Sequence, residues 1–241
     1  MSLKQTYVNL VHSLRPAAER ASILSTLERH SGQSRWARWS RSLFAIHDSQ
    51  AMIALDLPWW NLDAIDRVHD FLAAREAPSV FEYGSGASTT WLARRCGSVF
   101  SVEHDAPWGE QVLRQTTDLD NVTIEICPPE PVTAGGDNPV TSGKAGANGD
   151  FRRYVDAITR QDRPFDLIVI DGRCRAQALQ RAVPFLAPDG MIVFDNALRR
   201  RYQEAILATG LSVEKHFGLT ACLPYPDATW LLRRSPSANG D

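Results

Sequence analysis

Four carboxylates in this 241-residue chain sit at or near the end of short apolar runs. They are Glu82 after Val80-Phe81, Glu103 at the end of segment 98–103, Asp171 after Leu167-Ile168-Val169-Ile170, and Asp195 after Met191-Ile192-Val193-Phe194. The last two runs have the continuous apolar make-up of strands buried on both faces of a parallel sheet. The carboxyl ends of parallel strands share one edge, which is where open α/β sheets bind ligands. That edge is expected to be acidic.

A tight glycine turn, Gly84-Ser85-Gly86-Ala87-Ser88-Thr89, follows the first of these strands and leads into a helix, the usual opening of a nucleotide pocket. A dinucleotide fingerprint needs a small residue at its sixth position, where helix and strand pack closely, and Thr89 stands there instead. Glu82, two residues before the first glycine, would repel a pyrophosphate and attract a ligand bearing an ammonium and a sulfonium. S-adenosylmethionine (SAM) is such a ligand. Glu103 has the spacing of an acid that hydrogen-bonds a ribose diol, which serves NAD and SAM equally. His104 follows it, placed either against an adenine or as a half-exposed loop histidine.

The run Glu82-Tyr83-Gly84-Ser85-Gly86-Ala87-Ser88-Thr89 resembles motif I of the class I SAM-dependent methyltransferases, in the form found in a poorly characterised bacterial branch. The turn Leu186-Ala187-Pro188-Asp189-Gly190 is also frequent in that superfamily, so the resemblance spans residues 80–196. It implies a doubly wound, Rossmann-like α/β fold with a seven-stranded, mostly parallel sheet whose last strand is antiparallel. It also implies a SAM site made by Glu82, Gly84, Ser85, Gly86, Ser88, Glu103 and His104. In the family's strand order the strands ending in Asp171 and Asp195 are neighbours, about 4.8 Å apart. Their carboxylates would repel unless a hard divalent cation, with Asn196 as a neutral ligand, lay between them. Asp171, Asp195 and Asn196 resemble the magnesium triad of catechol-type O-methyltransferases, in which Mg2+ holds a substrate hydroxyl and lowers its pKa; Asp171 is then the catalytic candidate. That family has a lysine base three residues after the first Asp, where this chain has Cys174, and the flanking Arg173 and Arg175 stay charged. Either metal-bound hydroxyl acidity suffices, a base comes from elsewhere, or the acids only orient substrate.

Helical spacing over residues 5–46, with breaks expected at Pro16 and at 31–34, predicts two or three helices in an N-terminal cap or arm, residues 1–60. Trp36 and Trp39, three apart, read as packing or as a homodimer contact through these helices. Asn61 is a candidate N-cap with Trp60 stapled onto Ile65. Trp59 and Trp60 read as structural, the alternative being that one closes over cofactor or substrate. The SAM-binding domain is expected over 61–234, with a lid-like or disordered loop at 128–150 and a frayed tail at 235–241. A helix over 151–159 would turn Tyr154 and Arg152 or Arg153 toward the pocket, a helix is read over 176–185, and a turn at 187–190 precedes the Asp195 strand. Candidate substrate contacts are Trp59, Tyr154, Arg173 and Arg175. The run Arg199-Arg200-Arg201 reads first as a solvated loop or as neutralising the acidic edge, the alternative being that it binds an acceptor carboxylate or phosphate.

Lys plus Arg (26) nearly balance Asp plus Glu (28), for a net charge of −2, so no global field draws nucleic acid or a membrane. No secretory signal or membrane-length apolar run is seen, and the expectation is a cytoplasmic protein. The four cysteines are scattered and suggest neither zinc nor disulfides. The function expected is SAM-dependent O-methylation of a small-molecule acceptor, assisted by Mg2+. The rivals are a nucleotide-dependent oxidoreductase on a related fold, against which Glu82 and Thr89 argue, and a non-catalytic SAM-binding or interaction protein.

Overall fold

The computed structural model describes residues 3–132, 139–142 and 149–235. The chain begins with α1 (Leu3–Arg20), α2 (Ile23–His30), α3 (Arg35–Leu43) and α4 (Ser49–Ala54). Side chains cap the later starts: Ser34 Oγ accepts from Ala37 N at 3.3 Å, and Asp48 Oδ1 from Ala51 N at 2.9 Å. Pro16, expected to break the helix, lies inside α1. Val8 and Val11 before it and Ala18 after it are buried, and packing this face outweighs the one backbone hydrogen bond proline forgoes. Asn61 caps α5 (Leu62–Ala73) as expected, its Oδ1 accepting from Asp63 N and Ala64 N.

The sheet comprises β1 (Ser79–Tyr83), β2 (Ser98–Glu103), β3 (Val122–Ile126), β4 (Phe165–Ile170), β5 (Leu186–Asp195), β6 (Ser212–Gly218) and β7 (Asp227–Arg233). Its order is β3-β2-β1-β4-β5-β7-β6, with β7 antiparallel to both neighbours. Helices α6 (Ala87–Ala93), α7 (Ala106–Gln115), α8 (Arg152–Val155), α9 (Arg175–Ala182) and α10 (Arg200–Leu207) connect the strands. The alternation of each strand divides the core in two. Val80, Leu167, Val169, Met191 and Val193 pack with α1, α4, α5 and α6, whereas Phe81, Tyr83, Ile168, Ile170 and Phe194 pack with α8, α9 and α10.

Residues 187–190, expected as a turn, lie within β5. Phe165 pairs with Leu186 and Leu167 with Met191, so six residues of β5 span three of β4 as a bulge. The expected 151–159 helix is α-helical only over Arg152–Val155 and continues as a 3-10 helix, Asp156–Arg160. Likewise the helix read over 176–185 is α-helical over Arg175–Ala182, then 3-10 over Val183–Phe185. Of the proposed lid, 133–138 and 143–148 lie outside the described residues, as does 236–241 of the tail. The ends of the lid segment are held by an antiparallel bridge between Glu130 and Asp150 and by Phe151 N donating to Val140 O at 2.8 Å. Among the described residues no helix is long and apolar enough to cross a membrane.

Candidate functional site

The carboxyl edge of the sheet is organised by a contact between two strand-end loops. Gly84 has φ +94°, and a Cβ there would stand 2.7 Å from Gly172 Cα, so the loops after β1 and β4 meet backbone to backbone. A Cβ on Gly172 would stand 1.9 Å from the Tyr154 hydroxyl. Tyr154 is fully buried, which removes it from the substrate contacts expected of it: its ring supports this junction from behind.

Glu82 also lies behind the loop. Fully buried, it accepts hydrogen bonds from Ser88 Oγ (2.5 Å), Thr89 Oγ1 (2.6 Å) and Ser101 Oγ (2.7 Å). Burial raises its pKa to about 7 against the lowering effect of these hydroxyls. It therefore clamps the start of α6 to β1 and β2 and is absent from the cavity wall. The attraction for a cationic ligand expected of Glu82 must come from other carboxylates.

Glu103 is in the wall. Its Oε1 accepts from His104 N (2.7 Å) and Asp105 N (2.8 Å) and its Oε2 from Ser85 N (3.0 Å), which fixes the carboxylate against the glycine loop. His104 Nε2 accepts from Arg173 Nε at 3.1 Å; arginine only donates, so the ring proton is on Nδ1, 2.6 Å from Glu103 Oε1 but poorly angled for a full hydrogen bond.

Asp171 and Asp195 converge, as the strand order requires, yet the cation between them belongs to the chain. Arg175 is buried, donates through Nη2 to Asp171 Oδ1 (2.8 Å) and Asp171 O (2.7 Å), and donates through Nη1 to Asp195 O (2.5 Å). Its Nη1 also lies 3.5 Å from Asp195 Oδ2. Thr229 Oγ1 donates to Asp195 Oδ1 at 2.7 Å, and Trp60 Nε1 to Asp171 Oδ2 at 3.1 Å. Burial raises the pKa of both acids, that of Asp195 to about 8, with the Asp171 charge adding to the push. The Arg175 charge opposes this push on both acids.

The expected magnesium triad of Asp171, Asp195 and Asn196 does not fit a metal. The guanidinium fills the space between the acids, and Asn196 turns its amide away to donate to Asp227 Oδ2 at 2.9 Å. Among the described residues no group of three or more His, Cys, Asp or Glu side chains is arranged to hold an ion. Cys174, at the position of the lysine base, is buried, and burial pushes its thiol up to about 12.

A cavity of about 430 Å3 opens over this edge. Of the expected residues, Gly84, Ser85, Gly86, Ser88, Glu103, His104, Asp171, Trp59, Arg173 and Arg175 reach it, whereas Glu82, Asp195, Asn196 and Tyr154 do not. Sequence reading missed Asp105 and Trp108, whose Nε1 donates to Ser85 O at 2.8 Å, and the wall from α4 and its approach: His47, Asp48, Ser49 and Met52. The Asp105-Ala106-Pro107-Trp108 sequence does carry a signal, since it is a capped helix start directly after a strand. Segment 47–52 carries none, because packing of the N-terminal helices puts it there. Four carboxylates, Asp48, Glu103, Asp105 and Asp171, line the cavity, and Trp59 joins them edge-on to His47 at 5.2 Å.

Residues 81–197 match the family model described as a methyltransferase domain. No curated protein matches the sequence. Among solved structures, a methyltransferase-like protein from Silicibacter pomeroyi is 25% identical over 69% of this chain and 84% of its own, with a TM-score of 0.48. An rRNA methylase from Streptococcus thermophilus is 14% identical over 71% and 96%, TM-score 0.48. A precorrin-6y C5,15-methyltransferase from Geobacter metallireducens is 12% identical over 72% and 88%, TM-score 0.50, a likeness of fold.

Proposed function

We propose that the protein is a class I SAM-dependent methyltransferase that methylates an oxygen of a small-molecule acceptor at the 430 Å3 cavity, with Asp171 beside the reacting atoms. The observation that carries this reading is the cavity itself. It is lined by the glycine loop, Glu103 and Asp171, and its four carboxylates suit a ligand bearing an ammonium and a sulfonium. When bound, SAM supplies an electrophilic methyl group.

The chain's residues divide the remaining work. The Glu103 carboxylate, held by three backbone N–H groups, accepts hydrogen bonds from ribose hydroxyls. The backbone of Gly84, Ser85 and Gly86 bounds the methionine end, and His104 and Trp108 flank the base. Asp171, fixed by Trp60 and Arg175, orients the acceptor hydroxyl and takes its proton, a role favoured by its raised pKa. No step requires a metal, because Arg175 supplies the positive charge at the acid pair.

Calorimetry with S-adenosylhomocysteine tests the donor site, and methyl transfer from labelled SAM to a panel of small hydroxyl compounds tests the acceptor class. Asp171→Asn is expected to keep S-adenosylhomocysteine affinity and lower kcat by about 100-fold or more. Label entering total RNA rather than the panel would sink the small-molecule reading.

A further inference from the structure

A second cavity, of about 740 Å3, meets the first at Gly172, Arg173 and Arg175. Its wall holds Arg173, Arg175, Arg199, Arg200, Arg201 and Tyr202, and no carboxylate. The first chamber thus sets four carboxylates beside Arg173 and Arg175, whereas the second holds arginines without a carboxylate, and Gly172, Arg173 and Arg175 form the wall they share.

The charge of Arg175 is taken by Asp171, and Arg200 pairs with Glu204 at 3.0 Å. Arg173, Arg199 and Arg201 have no ion-pair partner among the described residues. Arg199 and Arg201 are exposed, yet they are held in place. Both donate to the Tyr202 hydroxyl, at 3.4 Å and 3.1 Å, and both lie over its ring, with centroid distances of 5.6 Å and 4.8 Å. Tyr202 is itself buried and packed edge-on against Phe194 of β5 at 5.4 Å. A core-anchored tyrosine thus gathers like charges that would otherwise move apart, and leaves their remaining N–H donors facing one chamber. Burial alone would raise the Tyr202 pKa, but the Arg201 hydrogen bond and the Arg175 charge lower it, as a net positive surrounding requires.

We propose that this chamber binds an anionic group, a carboxylate or a phosphate, carried by the methyl acceptor. Paired guanidinium groups match the geometry of either oxyanion. A cluster of arginines limited to one cavity, on a protein of net charge −2, suits one anionic group better than a polyanion track. The assignment rests on the donor-site reading above, since it is the adjoining cavity that makes this one an acceptor chamber.

The test is calorimetry on the full chain. Inorganic phosphate and acetate are titrated separately, at constant ionic strength in chloride, with and without saturating S-adenosylhomocysteine. At least one anion is expected to bind, and the Arg199→Gln/Arg201→Gln double variant to lose at least about tenfold of that affinity while retaining S-adenosylhomocysteine affinity as its fold check. Tyr202→Phe, which keeps the ring and removes the gathering hydroxyl, is expected to weaken the same anion less. Which anion binds selects phosphate or carboxylate. No anion binding, or equal binding by wild type and double variant, overturns the proposal while leaving the donor site standing. So does tight, Arg199- and Arg201-dependent binding of a short oligouridylate by a protein that ignores phosphate and acetate. Failure to bind S-adenosylhomocysteine condemns the donor-site reading, and the phosphate and acetate titrations still judge the anion site.

Discussion

Glu82 accepts three hydroxyl hydrogen bonds in a place that penalises its charge. Its pKa in the folded protein is about 7 against an ordinary 4.5, so between those pH values the folded state binds the proton more tightly than the unfolded chain does. Stability owed to this residue is therefore full below about pH 4.5, falls as pH rises to about 7, and is flat above. Glutamine does not titrate. Relative to wild type, Glu82→Gln should gain stability as pH rises across that window, by up to roughly 3 kcal/mol. Urea denaturation at pH 5 and pH 8 measures this, and an equal difference at both would show that the carboxylate does not carry the charge penalty. Arg175 poses the converse case, a buried cation whose removal strands two acids. Arg175→Ala should cost about 3–5 kcal/mol, and Lys should rescue little because a single ammonium cannot span both acids and their carbonyls. Because the guanidinium occupies the place a metal would take, EDTA-treated protein should bind S-adenosylhomocysteine and turn over as untreated protein does. Activity lost to EDTA and restored by Mg2+ would contradict the Arg175 account.

The glycine loop shows how an element depends on one backbone contact. Gly84→Ala would place a methyl 2.7 Å from Gly172 Cα in a left-handed conformation, whereas Gly210→Ala carries the same strain, at φ +68°, into open space. The first should weaken S-adenosylhomocysteine binding by roughly tenfold or more and the second should leave it intact; equal affinities would mean that the loop can retreat from β4. These elements were also the legible ones. The apolar runs gave the strands ending in Asp171 and Asp195, because burial on both faces leaves a continuous apolar pattern in sequence, whereas the seven-stranded sheet came with the family resemblance. What stayed hidden was side-chain direction. Glu82 and Glu103 both close strands beside the same loop, yet Glu82 lies on the side of β1 covered by α6 and meets hydroxyls, while Glu103 reaches the cavity. Arg175 looked like a loop cation beside the pocket, and only the converging ends of β4 and β5 reveal that it stands where a metal was expected. Pro16 and the 187–190 bulge were misread for a related reason, since neighbouring packing overrode a local breaker.

At the scale of the whole molecule, the N-terminal helices and the sheet share one core. Val8 and Val11 of α1, Ile46 and Met52 belong to the same apolar cluster as Leu167 and Val193 of the central strands. Polar contacts stitch the same boundary: Trp39 Nε1 donates to Leu223 O at 2.9 Å, Cys222 N donates to Ser42 Oγ at 3.0 Å, and Arg94 Nη1 donates to Asp56 Oδ1 at 2.9 Å. Asp48 and Met52 also line the 430 Å3 cavity. We propose that the cap, 1–60, and the methyltransferase domain, 61–234, unfold as one cooperative unit. Far-ultraviolet dichroism and tryptophan fluorescence should report one coincident unfolding transition, because Trp36, Trp39 and Trp59 sit on one side of that division and Trp91, Trp108 and Trp230 on the other. Saturating S-adenosylhomocysteine, bound by both parts, should move the whole transition, by about 2.7 kcal/mol at a hundred times its Kd. Removing residues 1–46 should abolish that shift and expose apolar surface to a hydrophobic dye, since Met52 and the α5 face lose their cover. Two separate transitions, with only the later one answering to ligand, would mean that the helices are an appendage and that the donor cavity closes without them.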